Sequence, residues 1–496
     1  MGAGGSARQS VAEEVKRAST EELRSALEGL STEEREKIMA SLETAARAAL
    51  PPSGPELAHI AAQLVRNASV KTLSQILPAL FLPPVPSLDR VEYRGITLEQ
   101  MNTLFREEVE SRADADGYLP GWYETRYRDW ENNSWRERKL CHKDTINLYD
   151  LMFWCIKPKC EEKQCSYVQL VAKEPQKPKW FVSHWWGEPV RDFVRCFNEH
   201  ARVRTLPRDT AYWVCAYANN QFELGADLST DPRESSFFRA MQLAEGVLLV
   251  LDPNAAPFTR IWCAFEETTV VEGELQLLLD IATVSNDSAA IITDDGPTPT
   301  FKDEKEKKEW ERMRDFRQRR ERDNTFPMAV FQKGLDIRVE LAEASVAIDK
   351  TRILNSISGQ RDLEGVPPTS HPKFDEVNAT LRGIFAVAAW ASAVRKGLPI
   401  HDGSDLPLGK VLKADAKRRE LRLRLQPNAE ELSFLTASAP GSLQILDLDL
   451  SGSSLTHVDG LQGLAGLEVA EVGVHQRSAS GGLQTLTLIL SHCGKL

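Results

Sequence analysis

Between residues 179 and 267 three short apolar runs alternate with amphipathic segments, and nothing else in the chain restricts its fold as strongly. The runs cover residues 180–183, 212–216 and 247–251. Each is too short for a helix, rich in β-branched or aromatic residues, and bounded by polar or turn-forming residues, as buried parallel strands are. The segments between them have helical spacing. Phe193, Val194, Phe197 and Ala201 line one face of the first, and Phe237, Phe238, Met241 and Ala244 line one face of the second. Strand and helix in alternation predict an α/β fold, an open parallel sheet with helices on both faces. Ligands in such sheets bind outside the carboxyl ends of the strands, which brings residues 183–188 and 253–266 to one rim.

Within that block Phe181-x-Ser183, followed by Gly187-Glu188, Arg191 and Phe193, resembles the first-strand motif of plant-type Toll/interleukin receptor (TIR) domains. Trp262-Cys263-x-x-Glu266 is similar to the W-C-x-x-E helix start of the same family. This chain differs in one extra residue between Ser183 and Gly187, in Glu267 where Leu is usual, and in the bulky pair Trp185-Trp186. Tyr212-Trp213-Val214-Cys215 with Asn220-Gln221 also resembles heterokaryon-incompatibility domains. The resemblance covers roughly residues 175–290. It implies a flavodoxin-like parallel sheet and, where TIR domains are enzymes, hydrolysis of the nicotinamide–ribose bond of NAD, with NAD as substrate and no resident cofactor or metal. It equally implies the other role of such domains, a self-associating adaptor without turnover.

For the enzymatic reading Glu266 is the catalytic candidate. Nicotinamide leaves as a neutral ring, so the main requirement is a carboxylate that stabilises an oxocarbenium-like ribose. At the start of a helix its ionised form would be favoured. Ser183, His184, Trp185, Trp186, Gly187, Arg191 and Trp262 are the matching candidates for holding the nucleotide. Free amides after Pro189 would face a pyrophosphate, Arg191 would neutralise Glu188, and the tryptophans would either stack on a base or belong to the core. His184 and Ser183 do not form a hydrolytic pair, because neighbours on a strand point to opposite faces.

Around this block the sequence divides into a helical module over residues 1–90, a Trp- and Tyr-rich cover region over 91–174, the TIR-like domain over 175–360, a helical connector over 361–440 and leucine-rich repeats over 441–496. The module has two capping-box starts, Ser19-x-x-Glu22 and Ser31-x-x-Glu34, each ahead of apolar positions at helical spacing. Within the α/β domain residues 275–283 and 289–293 read as further strands, and the charged run 302–322 as a solvated helix. Helices are expected over 97–112, 341–357 and 374–394. Leu443-x-x-Leu446-x-Leu448-x-Leu450 and Leu483-x-x-Leu486-x-Leu488-x-Leu490 have repeat spacing, with a poorer copy at Leu467. Three stacked copies would be parallel and would leave an open apolar end, as in a truncated solenoid.

Several function classes are excluded or disfavoured. With 61 basic against 72 acidic residues and net charge −11, the chain is no dedicated nucleic-acid binder. Eight scattered cysteines, with Cys196, Cys215 and Cys263 inside apolar patterns, fit a reduced cytoplasmic protein better than a disulfide scaffold. Cys155, Cys160 and Cys165 are spaced too widely for a zinc site. Asp114 and Asp116 mark a turn, since the remaining ligands of a calcium loop are missing. Gly403, Gly409 and Lys410 do not make a P-loop, because Val411 occupies the Ser/Thr position. Membrane association would come only through myristoylation of Gly2, for which Ser6 completes the pattern. Protein partners are expected at the repeats and the helical module, together with self-association into a homo-oligomer.

Overall fold

The computed structural model describes residues 86–223, 229–293, 326–395, 408–424, 434–435, 437–443, 445–449, 471–477 and 483–488. The chain divides into a unit over Met1–Ser87 and a second over Leu88–Leu496, of which only the second is described in detail. The helical module and the charged run 302–322 lie outside the described residues, as do Leu450, Leu467 and Leu490.

A six-stranded mixed sheet organises the second unit. Its strands in chain order are β1 (Ile96–Thr97), β6 (Trp180–His184), β7 (Ala211–Trp213), β8 (Gly246–Leu251), β9 (Leu278–Ser285) and β10 (Ser288–Ile292), and they lie side by side as β1-β7-β6-β8-β9-β10. Two small ribbons precede β6: β2 (Tyr118–Tyr123) pairs with β5 (Leu140–His142), and β3 (Arg128–Asp129) with β4 (Ser134–Trp135). The four central strands β7, β6, β8 and β9 are parallel, with Trp180 opposite Tyr212 and Gly246, and His184 opposite Val250. The strand order reverses at β6, so the crevice of a doubly wound sheet falls at its carboxyl end.

Both edges depart from the expected all-parallel sheet. β1 runs antiparallel to β7, and β10 antiparallel to β9. At the second edge the reason is local: only Asn286 and Asp287, both at positive φ, separate β9 from β10. Two such residues make a hairpin turn, whereas a parallel return needs a dozen or more. The expected strand 212–216 is also shorter. β7 stops at Trp213, and Cys215–Ala218 form a short helix, so the apolar run there belongs to two elements.

The two sheet faces bury separate cores. Phe181, Trp213, Val247, Leu249 and Leu251 pack toward α4 (Ile261–Glu272), α5 (Met328–Leu335), α6 (Ala347–Ile357) and α7 (Pro372–Arg395). Trp180, Val182, Tyr212, Leu248 and Val250 pack on the opposite face, toward α1 (Leu98–Phe105), α2 (Leu148–Leu151, running on through a π turn to Cys160) and α3 (Val190–Arg204). Strands buried on both faces read as unbroken apolar runs, the pattern of β8. The Trp- and Tyr-rich region is thus part of this body, because it supplies edge strand β1 and helices α1 and α2. A buried polar network joins the layers. His200 on α3 contacts Tyr212 Oη (2.9 Å) and Asp280 Oδ2 (3.0 Å), and Arg204 donates twice to the same carboxylate (2.7 and 2.5 Å).

A second sheet, β11 (Glu420–Arg424), β12 (Ile445–Asp449), β13 (Glu471–Arg477) and β14 (Leu483–Leu488), occupies the C-terminal part. β11, β12 and β13 are parallel, but β14 returns antiparallel to β13. The expected stack of parallel copies therefore fails at the last strand. Five residues, 478–482, separate β13 from β14, too few for a parallel crossover. Leu443, Leu446 and Leu448 are buried and continuous with the core beneath α7.

Candidate functional site

The site is built from the carboxyl end of β6 and the first two turns of α4. Helix α4 begins after Arg260, whose following amide, that of Ile261, donates to the carbonyl of Glu343 at 2.9 Å. Ile261, Cys263, Ala264, Phe265 and Val270 are all buried, so α4 is apolar nearly all round. Two of its three acids, Glu266 and Glu267, are carried inside with it. Glu266 is 4% exposed and Glu267 1% exposed.

This corrects the expectation of a rim carboxylate. Among the described residues Oε2 of Glu266, both carboxyl oxygens of Glu267 and Oγ of Ser183 have no hydrogen-bond partner. Burial raises the Glu266 carboxyl to about 8, and the nearby Ser183 hydroxyl, which pulls the other way, does not reverse it. Burial, reinforced by the charge of Glu266, holds Glu267 well above the ordinary carboxylate range. The helix end does not rescue ionisation, since Glu266 is the sixth residue of α4 and the dipole effect fades within the first turn.

Two thiols complete the floor. Cys263 Sγ lies 3.7 Å from the carbonyl oxygen of His184, and Cys215 Sγ lies 3.8 Å from His184 Nε2. Both feel the charge of Glu266. Burial pushes Cys215 up to about 12 and Cys263 well above its ordinary value, so neither supplies a thiolate. Burial also lowers His184 to about 4 and leaves the ring neutral, 4.7 Å from Phe193 on the opposite sheet face from Ser183.

The remaining candidates are engaged with other groups of the protein. Trp186 donates its indole N–H to Cys215 Sγ at 3.2 Å and leans on Tyr149, with ring centroids 5.5 Å apart. Trp185 folds over Gly187, where a β-carbon would come within 2.2 Å of the indole ring. Trp262 stacks on Phe237 at 4.9 Å and donates to Asp349 Oδ2 at 3.2 Å. Arg191 is committed to Asp144, Asp192 and Asp287, not to Glu188. Glu188 is itself buried; burial, with Asp252 and Asp192 nearby, holds its carboxyl well above the ordinary range. The amide of Val190, at the start of α3, is taken by the carbonyl of Ile146 at 2.8 Å.

The structure thus gathers Ser183, His184 and Glu266 with Cys215, Cys263 and Glu267, and directs Arg191 and Trp262 elsewhere. Glu267 was not among the candidates, although the signal was present as a second acid in a helix too apolar to float. Among the described residues no group of three or more His, Cys, Asp or Glu side chains is placed to hold a metal ion, and no helix is long and apolar enough to cross a membrane. No family model, curated protein or solved structure matches the chain.

Proposed function

We propose that the chain is a TIR-like signalling scaffold that acts by association with itself and with protein partners, without catalytic turnover. The observation that carries this reading is the state of Glu266. A carboxyl that is 4% exposed, with a pKa of about 8, is mostly protonated at neutral pH and cannot stabilise a developing cation there. Trp186 is bonded to Cys215, whose thiol lies close enough to Glu266 to feel its charge. The TIR-like part of the reading is supported by the order of the parallel strands, second-first-third-fourth, which is the flavodoxin-like order. Its leucine-rich-repeat part is supported by the starts of β11, β12 and β13, which lie 25 and 26 residues apart. At the far side of that sheet β14 has a neighbour on one side only among the described residues, and an unpaired strand edge is a template for a second chain.

A second reading, NAD hydrolysis through Glu266, is favoured by one observation. Unpaired buried carboxyl groups cost stability, and they sit where ligands of doubly wound sheets bind. One experiment separates the two. Purified full-length protein is mixed with NAD across a range of protein concentrations at pH 7, and released nicotinamide is followed. The scaffold predicts none, with light scattering showing a concentration-dependent rise in mass. Nicotinamide release that is abolished by Glu266→Gln would overturn it.

A further inference from the structure

Beside the carboxyl end of β6 the Trp- and Tyr-rich region forms an open cavity of about 420 Å³. That volume lies in the range of small-molecule sites. Its walls are aromatic: Trp130, Tyr149, Phe153 and Trp186. Its charged lining is Arg126 and Lys157, with no carboxylate among the lining residues, although the whole chain carries net charge −11.

The aromatic wall is held in place before any ligand arrives. The guanidinium of Arg128 lies 4.6 Å from the ring centre of Phe153, 5.1 Å from that of Trp130 and 5.4 Å from that of Trp135, and so clamps three rings together. Trp130 meets Phe153 edge to face at 5.6 Å, yet it is 62% exposed and Tyr149 is 42% exposed. Large rings left open to water around a cavity offer faces for stacking. The two cations differ. Arg126 is ion-paired with Glu124, whereas Lys157 makes no ion pair among the described residues and approaches only the ring of Phe222, at 5.4 Å. An anion entering here would meet Lys157 without having to displace a carboxylate.

We propose that this cavity binds a planar aromatic anion of mononucleotide size, with its ring against Trp130 and its negative group on Lys157. Stacking on aromatic side chains supplies affinity that tolerates different bases, and the lysine supplies the preference for charge. Trp186 is shared between this cavity and the lid over Cys215. The proposal does not depend on whether the chain cleaves NAD.

The test is calorimetric titration of the full chain with AMP, adenosine and inorganic phosphate. AMP is expected to bind, with adenosine and phosphate each at least tenfold weaker. Trp130→Ala and Lys157→Glu, both at exposed side chains, are expected to weaken AMP at least tenfold, and Lys157→Glu to abolish the preference of AMP over adenosine. No heat from AMP at about 1 mM, where binding energy falls to about 4 kcal/mol, would overturn the proposal. Equal affinity for AMP and adenosine would also overturn it, by showing a merely apolar hollow, as would AMP binding unaffected by either substitution.

Discussion

Glu266→Gln is the most informative perturbation, because its effect on stability has a sign and a pH window that follow from burial. The folded carboxyl titrates at about 8 against an ordinary value of 4.5, so the folded chain holds a proton that the unfolded chain releases. Stability from this group is fully present below pH 4.5 and is lost as pH rises, until it levels off above pH 8. The loss runs at about 1.4 kcal/mol per pH unit and totals on the order of 5 kcal/mol, roughly half of it between pH 5 and pH 7. Glutamine keeps the shape and cannot ionise. It brings its own cost of about 1–3 kcal/mol for an unpaired buried amide, but that cost does not change with pH. Glu188 titrates in both proteins and largely cancels, whereas Glu267, relieved of its charged neighbour, shifts downward in the variant and widens the difference. Urea unfolding followed by tryptophan fluorescence at several pH values from 5 to 9 measures it. The variant should gain on wild type steadily as pH rises from 5 toward about 8. Parallel curves throughout would mean that Glu266 is ionised and solvated in the folded protein, and the closed-site argument would fail.

If nicotinamide release is detected at alkaline pH, it should rise about tenfold per unit up to about pH 8, following the ionised fraction of Glu266; a flat profile would exclude this carboxylate as the acting group. Asp280→Ala removes the buried carboxylate that His200 and Arg204 share and should cost about 3–5 kcal/mol in urea unfolding, and a loss below about 1 kcal/mol would contradict the buried network. Gly246→Ala places a β-carbon 2.5 Å from the Trp180 ring and 2.9 Å from the Leu278 carbonyl, and should destabilise by about 1–3 kcal/mol in the same assay. Deleting residues 440–496 removes Leu443, Leu446 and Leu448 from the main core, so it should lower the unfolding midpoint of the body itself; an unchanged midpoint would show the second sheet to be separable.

Much of the fold was legible because burial on both sheet faces leaves unbroken apolar runs, and β6 and β8 lie where those runs are. The antiparallel edges were not read, although Asn286-Asp287 and the short link 478–482 limit what any return can be. At the site, the motif residues Ser183 and Glu266 do come together at the strand ends. Their environment was misjudged, since a sequence motif records which residues adjoin along the chain and says little about how many layers cover them.

The alternation of short apolar runs with amphipathic segments determined by itself that this chain builds an α/β sheet with parallel central strands, because both periodicities are local properties of backbone geometry. Only the tertiary structure decided that Glu266 is a buried carboxyl, its pKa raised by desolvation, and not a rim carboxylate. It also decided that Arg191 serves Asp144, Asp192 and Asp287, and that Trp186 walls a cavity beside the carboxyl end of β6. Charge state depends on desolvation, and desolvation is set by α4, β6 and the aromatic region packing together from distant parts of the chain.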